Sequence, residues 1–91
     1  MSEERVFDEF LVAMDISGIS PSLYCINGFS EDATFLVTKS NSYEIFDFER
    51  NCKYNVKEFH NQILACIEVI HRIAIDEDTE ARAIQNFFSV I

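Results

Sequence analysis

The segment SYEIFDFERNCKY, Ser42 to Tyr54, constrains the fold more than any other part of the chain. It alternates as a strand does, with successive side chains on opposite faces. Glu44, Phe46 and Phe48 share one face, and Tyr43, Ile45 and Asp47 share the other. Both sets carry large apolar groups, so a sheet built on this strand has two faces that compete for a core.

The neighbouring segments propose a register. ATFLVTK is a strand by residue type, and Ser40-Asn41 connects it tightly to the next. That connection sets Val37 opposite Glu44, Phe35 opposite Phe46 and Ala33 opposite Phe48. Glu49-Arg50-Asn51 reads as a three-residue hairpin loop, with Asn51 in the left-handed region that Asn tolerates. Phe48 then faces Cys52, Phe46 faces Tyr54, and Glu44 faces Val56. The expected core face is therefore Ala33, Phe35, Val37, Phe46, Phe48, Cys52, Tyr54 and Val56. The expected outer face carries Leu36, Tyr43 and Ile45 as an apolar island among Thr34, Thr38, Asp47, Lys53, Asn55 and Lys57, with Asp47 and Lys53 paired across the strands. A one-residue slip would carry Lys53, Asn55 and Lys57 into the core, which argues against it. The island is incidental surface, an interface centre with a polar rim, or the seat of a helix from the same chain; a Tyr anchor favours the interface.

The rest is helical apart from a short, edge-type strand at Leu23–Ile26 after Pro21. Val6, Phe7, Phe10, Leu11 and Met14 recur at helical spacing, with Ser2 as cap and Gly18 as terminator. NQILACIEVIHRIAI forms a second helix, capped by Asn61 or His60, apolar nearly all round, with Glu68 and Arg72 in favourable i,i+4 order. DEDTEARAIQNFFSVI forms a third, with a stripe of Ala81, Ile84, Phe87, Phe88 and Ile91. The prediction is one α+β domain over residues 1–91: a four-stranded antiparallel meander, an N-terminal helix and two C-terminal helices, packed mainly on one face.

Charge limits the partners. Sixteen acids against seven Lys and Arg give a formal net charge of −9, which opposes nucleic acid and anionic membranes and suits a basic protein. Three cysteines, an odd number without a Cys-x-x-Cys pair, fit a reducing, cytoplasmic setting. No stretch reads as a secretory leader or a membrane span. Chemistry is not evident either. His60 and His71 lack further ligands at metal-binding spacing. A Cys66–His71 nucleophile pair is opposed by the apolar surroundings of Cys66, and the chain lacks a glycine-rich phosphate loop. No catalytic residue, metal or cofactor is assigned, and a non-enzyme is expected.

Four features in order carry a resemblance: YCING (Tyr24–Gly28), YEIFDFERN (Tyr43–Asn51), KEF (Lys57–Phe59) and Ala65-Cys66 in the following helix. Over about residues 20 to 70 the chain resembles small bacterial immunity proteins of polymorphic toxin systems, including contact-dependent growth inhibition. That pattern has Trp where Tyr43 stands and Gly where Asn51 stands, and it has no counterpart for the last helix. The resemblance implies a cytoplasmic, non-catalytic antitoxin, a monomer or weak homodimer, that occludes a cognate toxin domain. The charge argument makes that toxin a basic nuclease. The expected contact residues are Tyr43, Ile45, Asp47, Glu49 and Arg50, with Glu31 and Asp32 on the neighbouring loop. The alternative is a structural or adaptor subunit that acts through homo-oligomerisation, using the outer sheet face and the exposed side of the second helix.

Overall fold

A computed structural model describes residues 3–91. Helix α1 spans Glu3–Ile16, and a 3-10 turn at Pro21–Leu23 leads into β1, Tyr24–Ile26. Strands β2 (Ala33–Thr38), β3 (Tyr43–Glu49) and β4 (Cys52–Phe59) follow, then α2 (Gln62–Ile73) and α3 (Glu77–Val90). The protein is α+β, with a four-stranded sheet in the order β1-β2-β3-β4. The Cα extents of 33 × 29 × 18 Å leave depth for one helical layer against one sheet face.

The helix termini follow from local chemistry. Gly18, at φ 75°, closes α1 with paired bonds from Gly18 N–H to Asp15 O and from Ile19 N–H to Met14 O. Asn61 caps α2 by accepting from Leu64 N–H at 3.0 Å. Asp76 caps α3 by accepting from Thr79 N–H at 2.7 Å, and this bond holds its carboxyl below the usual range. The expected cap at Ser2 lies outside the described residues.

The sheet is mixed, which corrects the antiparallel meander: β1 runs parallel to β2. Parallel neighbours normally need a long crossover. Here β1 is only three residues long, so residues 27–32 can return the chain. Asn27, at φ 51°, fixes the direction. Its side chain extends the ladder, donating to Thr38 Oγ1 at 2.9 Å and accepting from Thr38 N–H at 2.7 Å.

The β2–β3 register is as the tight loop requires, with Phe35 opposite Phe46 and Val37 opposite Glu44. The β3–β4 register is not. Glu49 stands opposite Cys52 and Phe48 opposite Lys53. Arg50 and Asn51 both take positive φ, 50° and 63°, so the hairpin turns on two residues in the geometry that matches strand twist. A bulge between Ile45 and Asp47, with Asn55 at φ 52°, then shifts the pairing so that Ile45 meets Lys57 and Tyr43 meets Phe59.

The helix-packed core lies on the face opposite to the one expected, although Phe35 and Phe46 of the expected face are buried too. Leu36 and Ile45 are fully buried, and they cluster with Tyr43 and Phe59 against Phe10, Ala65, Cys66, Val69 and Ile70. Tyr43 meets the edge of Phe7 at 6.2 Å. The expected core residues Cys52, Tyr54 and Val56 are exposed. On the face away from the helices, Phe35 stacks on Phe46 at 5.3 Å and meets Phe48 edge-on at 5.4 Å. Lys53 lies over the Phe46 ring at 4.4 Å and pairs with Glu44 at 3.2 Å, not with Asp47. The slip is tolerated because Lys53 lies over the rings and not among them: it covers Phe46 while its side chain stays 52% exposed.

On α3, Ala83 replaces the expected Ala81 in the core beside Phe87, and Phe88 is half-exposed. On α1, Ala13 takes the place of Leu11, which is 43% exposed.

Ile45→Ala is expected to cost about 2–5 kcal/mol, whereas Val56→Ala, at a position 52% exposed, should cost under about 1 kcal/mol; urea unfolding measures both. Asp76→Ala should lower the melting temperature near neutral pH. The deficit should shrink as acid protonates the native carboxylate, because a depressed native pKa stabilises only above the unfolded value and is lost as pH falls.

Candidate functional site

The expected contact residues divide into three groups. Ile45 and Tyr43 lie in the core beneath the helices, so their assignment to an outer surface is corrected. The adaptor reading used this same face, now covered, together with the exposed side of α2. The remaining residues, Glu31, Asp32, Asp47, Glu49 and Arg50, gather at one end of the sheet, where β2 begins and β3 ends.

Asp47 is tied into the end of the sheet, its side chain 37% exposed. Its Oδ1 accepts from Thr34 Oγ1 at 3.0 Å and from Arg72 Nη1 at 3.4 Å, and its Oδ2 accepts from Asn55 Nδ2 at 3.0 Å. Arg72 is the centre of this network. Its side chain is only 9% exposed; Nε donates to Glu68 Oε2 at 2.8 Å, and Nη2 donates to the carbonyl of Asn55 in the bulge. Lys57 adds a 3.9 Å contact with Glu68. One guanidinium therefore joins α2, β3 and β4. No buried side-chain polar atom among the described residues lacks a hydrogen-bond partner. The pattern of a cation four residues after Glu68 was visible in the sequence; its second partner, Asp47, was not.

Glu31, Asp32, Glu49 and Arg50 are exposed. Asp32 Oδ1 accepts from Arg50 N–H at 3.3 Å, which ties the loop after β1 to the β3–β4 turn. Among the described residues, Glu31 and Glu49 form no ion pair. Two recesses share Asp32 and Phe48. One, of about 310 Å³, has Phe29 and Arg50 on its walls. The other, of about 440 Å³, is lined also by Leu23, Ala33, Asp47, Glu49, Arg72 and Ile73. Phe29 is 85% exposed. Its only sequence signal was a large aromatic inside a turn-rich loop, GFSED. The arrangement offers carboxylates around apolar hollows, a surface suited to cationic groups on an apolar body.

The groups weighed for nucleophilic or metal chemistry lie apart. Cys66 is buried, and burial pushes its thiol up to about 12. His71 Nδ1 lies 3.0 Å from Glu80 Oε1, joining α2 to α3, and His60 Nδ1 meets the carbonyl of Asn41. Cys25, Cys52 and Cys66 are free thiols. No helix among the described residues is long and apolar enough to cross a membrane.

Arg72→Ala is expected to cost about 3 kcal/mol, since it removes the close partner of Glu68, whose side chain is 13% exposed, and cuts the tie to Asp47 and Asn55. Glu31→Gln and Glu49→Gln should each change stability by less than about 0.5 kcal/mol. Chemical denaturation of the variants separates the structural charges from the free ones. Compared with known protein families, curated proteins and solved structures, the chain matches none.

Proposed function

We propose that the chain is an immunity protein: a cytoplasmic antitoxin that binds a cognate toxin domain, a basic nuclease, and occludes its active site. The observation that carries this reading is the meeting of Glu31, Asp32 and Glu49 with exposed Phe29 at one end of the sheet. A nuclease site must attract phosphates, so it is lined with cations that an acidic surface can complement. The net charge of −9 and the ordered motifs YCING, YEIFDFERN, KEF and Ala-Cys support the same reading. Asp47 contributes by holding the sheet end in shape, and Glu49 and Arg50 stand where a partner would approach.

Co-expression tests the proposal. The toxin domain is taken from the C-terminus of the protein encoded directly upstream, and growth of the producing cells is the readout. Rescue by the chain supports it; unrelieved toxicity counts against it. Association with the purified domain should slow markedly from low to high salt as screening shortens the reach of surface charge. A rate indifferent to salt would remove the electrostatic part of the mechanism. Sedimentation that finds a stable homo-oligomer without affinity for the toxin would favour the adaptor reading instead.

A further inference from the structure

Phe29 and Ile75 are the two most exposed large apolar side chains among the described residues, at 85% and 89%; the next, Ile16, is 57% exposed. They are far apart in sequence, yet the fold brings them to one end. Phe29 shares its recess with Asp32 and Phe48, and these two also line the larger recess together with Ile73 at the end of α2. Ile75 follows Ile73 by two residues, within about 7 Å along the chain.

The larger recess has apolar walls in Leu23, Ala33, Phe48 and Ile73. Asp32, Asp47 and Glu49 line it, Glu31 lines the adjoining recess, and Asp76, Glu77 and Asp78 follow Ile75 in the chain where α3 begins. The nearby cations are Arg50, Arg72 and Arg82, and Arg72 is already committed to Asp47 and Glu68. A second copy of the chain is a poor occupant, since each brings a net charge of −9.

Resting on the toxin-binding reading, we infer that the docking surface is this whole end of the molecule, from Phe29 across the Leu23–Phe48–Ile73 recess to Ile75. Its occupant is a basic protein that inserts an apolar side chain flanked by Arg or Lys. The apolar side chain fills the recess, Phe29 and Ile75 close over its neighbours, and the flanking cations meet Asp32 and Glu49. Asp47, which also lines the recess, is tied to Thr34, Asn55 and Arg72 and holds its wall in shape.

A synthetic peptide of alternating Arg and Leu serves as the probe, and amide chemical shifts of the isotope-labelled protein are the readout. Shifts should concentrate at Leu23, Phe29, Asp32, Glu49, Ile73 and Ile75. The F29A/I75A double variant should keep the wild-type melting temperature, since both side chains are exposed, and should bind the peptide roughly tenfold more weakly. Shifts spread equally over the acids of α1, absence of binding at millimolar peptide, or wild-type affinity in the double variant would each overturn the inference. The growth-rescue experiment reports separately. Rescue by wild type and equally by the double variant overturns this surface and leaves the antitoxin reading standing. Localised peptide shifts without rescue sustain the surface and remove the antitoxin reading.

Discussion

Leu36 and Ile45 face each other on the two central strands, and α2 lies across them with Ala65, Cys66, Val69 and Ile70. All six are fully buried. At about 1.5–3 kcal/mol for each large apolar side chain removed from water, this contact is the strongest reason for the helices to choose one sheet face over the other. Once it forms, Phe35, Phe46 and Phe48 must look outward, the β3–β4 turn must close on two residues, and Tyr43 must pass beneath α1. The exposed surface is what this choice leaves over.

Much of this order was legible locally. The caps at Asn61 and Asp76, the stop at Gly18 and the pairing of β2 with β3 each depend on a few adjacent residues, and each formed as their chemistry dictates. The direction of β1 was not legible, because it depends on Asn27 bonding to a residue eleven positions away. The face choice was not legible either. It turned on whether Arg50 would accept a positive φ and on an extra residue at Asn55, neither of which alters the apolar pattern. For the site, acid type and loop position singled out Glu31, Asp32, Glu49 and Arg50. Asp47 looked equivalent, yet the cation that neutralises it arrives from α2, twenty-five positions later.

The resulting electrostatics sort the charges by role. Arg72 with Glu68 is a poorly hydrated tie, and it reaches the more exposed Asp47 across the sheet end. Lys53 with Glu44 is a half-wet cover on the aromatic face. Glu31 and Glu49 are exposed and form no ion pair among the described residues. A formal −9 is therefore uneven in consequence: part of it builds the fold, and part remains available as a field at the end of the sheet.

The bulge at Asn55 also bears on how the protein behaves when crowded. β4 is an edge strand, and an unbroken edge of eight residues would be a template for another strand. Here the backbone turns left-handed midway, the Asn55 carbonyl is already occupied by Arg72, and Lys53 and Lys57 stand on either side of the kink. No long, straight run of free backbone groups is left for a neighbour to extend. The arginine that anchors α2 to the sheet thus also keeps the sheet finite.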